Sequence, residues 1–541
     1  MNYLNRAIKN VTRRLSKSIL ILLTFFVIGN FVIVGLGISE ASENAKTLTR
    51  KSMKAVIEFK FDHQTFWNDV DEIEDEEERD TYIKDLKMDL TKDDIVKMGN
   101  DERIKAINAI NTDIVYSLDF NSVPIGNEDD SKGEFESGFV VFDAEVTTSQ
   151  DIYPNEEYEY KEPDILLKKI WYSNLIEFSD QEYTMVDGEM ITDDHIKNGD
   201  LVCVITDTLA LENDLKIGDK ISLNSNDQSA IDREWITEEE FENATDEVEI
   251  IGIFDNINEV DPSAENFKWM QAFESPENIV ITPASINLSK QLEENIKNYE
   301  QGKLDYPNDD YYNDPDNYPT LEELQRVNEP VFLLEDPLDV EQFVEDYTSE
   351  EYLPNKYFIL DANNKQFETY SKPLDTMSSF ANIIVYIVLF NAVVIITLVT
   401  ALTLKTREYE IGVLLAMGVS KFKVVLQFFI ELAIIAVIGF SLSVISGSMI
   451  AKTVGDSILE NQLAQDPIEE VEDNNHGWVG DEDYFTEISI DDMLSKYEVN
   501  ISTGIIVQIY VAGLAVVLIS ILIPALMIMR FNPKRILTNT N

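Results

Sequence analysis

The chain has one cysteine, three histidines and no phosphate-binding loop, and each scarcity excludes a class of protein. With Cys203 alone, no intramolecular disulfide can form, which excludes a disulfide-stapled secreted module. Neither the G-x-x-x-x-G-K-[ST] loop of ATP-hydrolysing proteins nor the H-E-x-x-H zinc motif occurs in the 541 residues. His63, His195 and His476 are too scattered to predict a catalytic triad or a metal site. The sequence therefore predicts that this chain is not an enzyme and holds no cofactor.

What the chain does have is four long apolar runs. A bilayer core of about 30 Å takes about 20 helical residues, and the predicted transmembrane helices are 18–38, 378–404, 424–451 and 501–529. The leader 1–17 contains five Lys and Arg residues and no acidic residue, so the positive-inside rule places it in the cytoplasm. Alternation then places the basic loop 405–423 and the tail 530–541 on the same side. The predicted fold is a membrane protein with four transmembrane α-helices and a large α+β extracytoplasmic domain, 39–377, between the first and second.

The leader itself predicts an amphipathic helix on the inner membrane surface, because Leu4, Ile8, Val11 and Leu15 share one helical face. An unstructured basic anchor is the alternative. A cleaved signal peptide ending near residues 39–41 is a second alternative, but the apolar run exceeds the roughly 7 to 15 residues of a signal core.

Acidic residues dominate the parts predicted to lie outside. The net charge is −59, and because the cytoplasmic segments are basic, the excess belongs to 39–377 and to the acidic loop 452–500. Binding of cations or cationic peptides is one interpretation, and simple solvation of the surface is the other. The acids are scattered, and the densest run, 69–80, lacks the EF-hand glycine. These features favour solvation and support no specific calcium site.

Local patterns within 39–377 predict a mixed α+β domain. The apolar run 201–205 predicts a buried strand that carries a buried, unreactive Cys203, and 247–254 predicts another strand. Helical spacing predicts a helix over 93–107, followed by a strand at 114–118. The polar stretches 226–246 and 306–337 are predicted to be surface insertions or flexible loops.

The loop after the second apolar run contains R-x-x-E-I-G-x-x-x-A-x-G, which begins at Arg407 and ends at Gly418. With one span, a large external domain and three further spans, this motif resembles the FtsX/MacB-type permease subunits of ABC transporters. Gly188, the 201–205 strand, 218–221 and 250–253 likewise resemble the MacB-like external core domain.

In that family the corresponding loop contains a coupling helix that binds in a groove of the ATPase. The loop 405–423 resembles it. The residues to which the resemblance assigns this role are Arg407, Glu410, Gly412, Gly418, Ser420, Lys421, Phe422 and Val425. On physical grounds we expect the second span to continue as a helix to Leu415, Gly418 to turn the chain, and Ser420 to cap the next helix. Lys421, Phe422, Val425 and Phe429 would then form a mixed basic and aromatic face. A plain re-entry helix at the membrane interface is the alternative.

Glu431 is an ionisable residue near the start of the third span. A carboxylate is costly inside a membrane, so we expect it to pair with a basic residue such as Arg407 or an arginine of the leader. The alternative is that it reaches water.

The resemblance implies a permease subunit that couples ATP hydrolysis in a separate ATPase, which binds the ATP and magnesium, to movement of the external domain. Export of a peptide, lipoprotein or drug is the leading function. A permease that transmits force to an external partner without transport, and an acidic membrane-anchored receptor, are the alternatives. Expected partners are the ATPase, a second permease chain that is identical or related, membrane lipids, and an extracytoplasmic adaptor or substrate protein, with no nucleic acid. The lone cysteine and the absence of a lipoprotein signal favour the plasma membrane of a Gram-positive bacterium.

Overall fold

The structure, a computed structural model, divides the chain into two compact units. The helical unit comprises 1–53, 363–473 and 486–541, and the α/β unit comprises 54–362 and 474–485. The residues described are 3–13, 15–84, 86–125, 161–232, 236–258, 260, 267, 270–349, 351–362, 364–465, 484–485 and 490–530. Arg14, most of the acidic loop 452–500 beyond 465, and the tail residues Lys534 and Arg535 lie outside them.

The α/β unit contains both helices and strands, whereas every element described in the helical unit is a helix. The helices are α1 (Tyr3–Arg13), α2 (Leu15–Ser52), α3 (His63–Asp71), α4 (Glu76–Lys84), α5 (Lys92–Gly99), α6 (Ile176–Ser179), α7 (Asp193–Asn198), α8 (Asp207–Glu212), α9 (Ser229–Asp232), α10 (Glu238–Ala244), α11 (Leu288–Asp305), α12 (Asp310–Asn313), α13 (Leu321–Leu324), α14 (Val340–Tyr347), α15 (Asn364–Thr406), α16 (Glu408–Ala416), α17 (Lys421–Gln465), α18 (Ile490–Ser495), α19 (Thr503–Ser520) and α20 (Leu522–Arg530). The strands are β1 (Val56–Phe61), β2 (Leu90–Thr91), β3 (Ile104–Asn108), β4 (Ile110–Ser117), β5 (Ile165–Ile170), β6 (Tyr183–Gly188), β7 (Val202–Thr206), β8 (Lys220–Asn224), β9 (Asp246–Asn256), β10 (Ile279–Pro283), β11 (Arg326–Val327), β12 (Val331–Leu334) and β13 (Phe358–Asp361).

The four predicted membrane spans fall on α2, α15, α17 and the pair α19–α20, and four helical segments of the described chain are long and apolar enough to cross a membrane. This confirms the predicted fold class. The first three helices are much longer than a membrane requires: the 38 residues of α2 extend about 57 Å at 1.5 Å per residue.

Polar side chains join α2 to α15 beyond the apolar runs. Ser39 and Ser378 hydroxyls lie 3.0 Å apart, and the Asn382 amide donates to the Ser39 hydroxyl at 3.0 Å. Lys46 pairs with Asp375 at 2.5 Å. These contacts add to the apolar cluster that packs the two helices together along this stretch, which includes Ala41, Ala45, Leu374 and Met377.

The last span is broken between α19 and α20. Pro524 lacks an N–H, so it cannot donate to the carbonyl of Ser520, and its ring crowds that carbonyl. The Ser520 carbonyl instead accepts a hydrogen bond from the Thr397 hydroxyl of α15 at 3.2 Å. The break is thus compensated by a bond to a neighbouring helix.

The α/β unit contains two main sheets. One has the strand order β13-β1-β12-β3, and the other has the order β6-β9-β7-β10-β5-β4-β8. Because β8 also pairs with β9, the second sheet closes on itself, with Ile221 opposite Val248 at the closure. Alternate residues of one strand enter different cores: Cys203 and Ile205 pack inside this closed sheet, whereas Val204 packs in the larger core shared with the other sheet.

The prediction of a buried Cys203 is confirmed, since the side chain is fully buried in β7. Burial raises the pKa of its thiol well above the usual range, and the nearby Glu249 carboxylate raises it further. The thiol therefore stays protonated and unreactive.

Two predictions within this unit are wrong. The helix expected over 93–107 ends at Gly99, and Ile104 and Ile107 belong to strand β3, because the Gly-Asn-Asp sequence at 99–101 ends the helix. The stretch 306–337 is not all surface loop. Its apolar residues 331–334 form β12, which is buried between β1 and β3. The stretch 226–246 also contributes Phe241 of α10, which is buried.

Residues 484–485 of the acidic loop belong to the α/β unit. The Tyr484 hydroxyl accepts from the Asn108 amide at 2.8 Å and donates to the Glu177 carboxylate at 3.0 Å. Tyr484 and Phe485 also pack against the apolar cluster of Val56, Ala106, Ile176, Val331 and Leu333. The chain thus returns to this unit between its third and fourth spans.

Candidate coupling site

The loop between the second and third spans is a helical hairpin. α15 ends at Thr406, α16 covers Glu408–Ala416, and α17 begins at Lys421. The expected continuation of the second span to Leu415 is therefore wrong, because the helix breaks at Arg407, whose φ and ψ are −112° and 10°. The break places the Arg407 side chain in the interior of the unit.

Gly418 makes the predicted turn. Its φ is +86°, and the Val419 and Gly418 amides donate to the carbonyls of Leu414 and Leu415 at 3.1 Å. This is the Schellman arrangement that ends helices, and its left-handed residue is usually glycine. No neighbouring atom lies within 4 Å of the position that a β-carbon would take, so the requirement for glycine here is conformational and not one of space.

The next helix starts where it was expected to start. The Ser420 carbonyl accepts from the amides of Lys423 and Val424 at 3.0 and 3.3 Å, which gives Ser420 the backbone role of an N-cap residue. However, α17 continues without interruption to Gln465. The short helix within the predicted loop 405–423 is therefore α16, and the chain after Gly418 belongs to the long α17.

The expected face of Lys421, Phe422, Val425 and Phe429 is also not a single surface. Lys421 and Phe422 are exposed, whereas Val425 and Phe429 pack against the core of the helical unit. Phe422 is 74% exposed. Since Val425 lies one turn further along α17, its burial limits the exposed surface to the tip of the hairpin.

That tip carries large apolar groups. Tyr409, Met417 and Phe422 are 58%, 67% and 74% exposed, with the exposed Lys421 beside them, whereas Gly412 in the middle of α16 is buried. Large apolar residues exposed on one hairpin are candidates for an interaction site. Tyr409 and Met417 were not among the predicted residues. Their large apolar side chains within a charged loop could have indicated a contact surface.

The hairpin also contains a buried ion pair. The Arg407 Nη1 donates to Glu431 Oε2 at 2.7 Å, and the two side chains are 5% and 11% exposed. The second carboxylate oxygen, Oε1, accepts from the amides of Asn10 at 2.8 Å and Gln427 at 3.0 Å. The Arg407 guanidinium also stacks over Phe428 at 5.0 Å. The structure thus brings together the pair that the sequence analysis expected, with both oxygens of Glu431 bonded.

Asn10 was missed as part of this site. It belongs to α1, the helix predicted for the leader, whose Ala7 is fully buried and whose Val11 packs on the helical core. Asn10 is half-buried and lies outside the apolar face predicted for the leader, so the sequence offered no signal for it. Its bond to Glu431 connects three segments: the leader, the end of the second span, and the third span.

Glu410 binds Arg407 more weakly than Glu431 does. Its carboxylate lies 3.4 Å from Arg407 Nε and is 55% exposed, so solvent screens the interaction.

The described residues contain no group of three or more His, Cys, Asp or Glu side chains placed to hold a metal ion.

Comparisons with known proteins concern both units. Residues 382–533 match the family model described as FtsX-like permease C-terminal. The chain is 24% identical over 457 residues to an uncharacterized ABC transporter permease of Bacillus subtilis (strain 168), YclI, and the match covers 83% of this chain and 80% of the relative.

Two solved structures are similar to parts of the chain. The extracellular domain of the noncanonic ABC-type transporter YknZ from Gram-positive bacteria is 10% identical, with a TM-score of 0.26, and covers 57% of this chain and 99% of its own. The periplasmic region of MacB from Actinobacillus actinomycetemcomitans is 8% identical, with a TM-score of 0.27, and covers 57% and 90%.

Proposed function

Since the chain is a multi-pass membrane protein of the ABC transporter permease family, with an FtsX-like permease domain, we propose that it transmits force from a partner ATPase to its α/β unit. Membership of this family implies an ATPase subunit as partner. The observation that carries the proposal is that one hairpin has exposed large apolar residues around its turn and, nine residues further along α17 than Phe422, the buried Arg407–Glu431 pair.

The tip is the proposed ATPase docking surface. Tyr409, Met417 and Phe422 are the large, exposed anchors that typically dominate binding energy at an interface, and Lys421 adds a positive charge beside them. The positive-inside rule assigns this loop to the cytoplasm, where the ATPase would act.

The Arg407–Glu431 pair is the proposed first link in transmission. α16 begins immediately after Arg407, and the guanidinium is bonded to α17 through Glu431. A push on α16 therefore acts on α15 and α17 together, and through Asn10 on α1. The pair adds to the apolar packing of Ile411 and Leu415 against the core of the helical unit, which also holds α16 to the spans.

The long helices are the proposed route away from the membrane. α2 and α15 extend past their apolar runs and are joined by the Ser39–Ser378 and Lys46–Asp375 contacts. The chain continues from the end of α2 at Ser52 into β1 at Val56 within a few residues. The proposal is that movement of the helix pair is passed to the α/β unit through this short connection.

The cavities described within the helical unit are small. The two cavities described within the helical unit have volumes of about 50 and 10 Å³, whereas ligand pockets are typically about 300–1,000 Å³. We propose that two permease chains form a homodimer or a heterodimer. A substrate would then bind to the α/β units or between the two chains. Export of a peptide, lipoprotein or drug, and force transmission to an external partner, both use this machinery.

The test is co-purification of the ATPase with the full chain from its native membrane. Phe422→Asp should abolish recovery of the ATPase while leaving the chain inserted, because Phe422 contacts little of the protein itself. Phe422→Leu keeps an apolar side chain and should retain the ATPase. Equal recovery with the wild type and Phe422→Asp would overturn the docking assignment.

A further inference from the structure

A small cavity lies where α1, α2, α15 and α17 meet. Its volume is about 50 Å³, several times the roughly 10–15 Å³ that one water molecule needs, so it can hold a group of phosphate size. The lining combines polar and charged residues, among them Asn10, Lys17, Arg407 and Glu431, with the apolar Ile21 and Ile435. The occupant must therefore be both polar and apolar.

Lys17 supplies a positive charge that has no acidic partner among the described residues. Among the described residues its ammonium hydrogen-bonds only the Thr406 hydroxyl, at 3.3 Å. The Glu431 carboxylate at the cavity wall is already paired with Arg407 at 2.7 Å. An ammonium has three donors and no acceptor, so Lys17 retains donors for an anion.

Asn10 supplies a second donor from the same wall. One N–H of its amide is used by Glu431, and a side-chain amide has two. The nearby hydroxyls of Ser18 and Thr403 donate to the backbone carbonyls of Val11 and Val399. The amide and the ammonium are therefore the groups that remain to bind an anionic ligand.

The position of the cavity matches the boundary between lipid headgroups and acyl chains. Lys17 immediately precedes the apolar run that begins at residue 18, and Thr406 ends α15. Leu15, Ile19 and Leu20, next to the cavity in sequence, are 62%, 57% and 56% exposed, as expected for a surface that faces acyl chains. The leader has five basic and no acidic residues, so its field attracts anions.

We propose that this cavity binds the headgroup phosphate of an anionic phospholipid, with the phosphate on Lys17 and Asn10 and an acyl chain along Ile21 and Ile435. Basic pockets between transmembrane helices bind such headgroups in other membrane proteins. Because Asn10 also bonds Glu431, the lipid holds α1 against α17. The site depends only on the membrane location of the chain and not on its proposed work with an ATPase.

The test is native mass spectrometry of the full chain, purified in detergent and offered phosphatidylglycerol or phosphatidylcholine with the same acyl chains. The wild type should retain phosphatidylglycerol preferentially. Lys17→Gln should lower that retention about fivefold, since a basic residue near anionic lipid contributes about 1 kcal/mol. Lys17→Arg should restore it. The matched control is Lys405→Gln, which removes the same charge from an exposed residue outside the cavity and should leave retention unchanged.

Three results would overturn the site. Equal losses in Lys17→Gln and Lys405→Gln would indicate diffuse attraction to a basic surface, as would equal retention of the two lipids by the wild type. Displacement of the lipid by an equal concentration of inorganic phosphate or glycerol phosphate would show that the cavity recognises a free anion instead. Unchanged far-UV circular dichroism of each variant would show that the comparison is made between folded proteins.

Discussion

Replacing Glu431 with leucine should destabilise the helical unit by about 3–5 kcal/mol, because breaking a buried ion pair on one side leaves the other charge without a partner. The Arg407 side chain is only 5% exposed, so water cannot replace the lost carboxylate. Asn10 and Gln427 would lose their acceptor as well. Glu410, at 3.4 Å but half-exposed, compensates in small part, which places the expected loss near the lower end.

The informative comparison is a double-mutant cycle. Arg407→Met alone should also be costly, because it leaves the Glu431 carboxylate buried. Combined with Glu431→Leu, it removes both charges, and apolar replacement of a complete buried pair is often nearly neutral. We therefore expect the double variant to be more stable than either single variant.

Reversible unfolding of the full chain in mixed detergent and SDS micelles, followed by far-UV circular dichroism, would measure these losses. Tryptophan fluorescence would not, because Trp67, Trp171, Trp235, Trp269 and Trp478 all lie outside the helical unit. Losses that simply add in the double variant, or single losses below about 1 kcal/mol, which is the scale of an exposed pair, would refute the coupling of the two residues.

Three further changes test other parts of the structure. Gly418→Ala should destabilise the hairpin by about 1–2 kcal/mol, because the residue must keep a positive φ, and Gly418→Asn should cost less in the same unfolding assay. Tyr484→Phe removes a hydroxyl bonded to Asn108 and Glu177 and should speed hydrogen exchange of β3, and exchange at the wild-type rate would contradict the anchoring of this segment. The Arg103 guanidinium holds the pKa of the Asp101 carboxyl well below its usual range, so Asp101 stabilises the fold above about pH 4. Asp101→Asn should accordingly lower the melting temperature at pH 6.5, with the difference from the wild type shrinking as the pH falls below 4.

The membrane-spanning architecture could be predicted from sequence because it depends on local composition. A run of apolar residues long enough to cross a bilayer is visible in any window, as is the basic leader. The turn at Gly418 was predictable for the same reason, since one residue type satisfies a positive φ at low cost. Cys203 was recognisable as buried from the four apolar residues around it.

The errors arose where tertiary structure overrides local pattern. The apolar residues 331–334 are surrounded by Asp, Asn, Tyr and Pro, so the average composition of 306–337 concealed a central strand. The break at Arg407 could not be predicted, because nothing in the local sequence shows that the side chain must turn inward to reach Glu431. Burial of Val425 likewise depends on which neighbouring helices cover that face of α17, and the sequence does not specify them.

Site-specific crosslinking from the hairpin tip tests the central claim most directly. Because the single native cysteine is buried, Phe422→Cys would introduce one accessible thiol for a photoreactive maleimide in native membranes. Val186→Cys, at an exposed position of β6 in the α/β unit, is the control. The account predicts that residue 422 crosslinks to a protein with a P-loop ATPase motif and that residue 186 does not. An ATPase adduct from residue 186 alone, or from neither position, would contradict it.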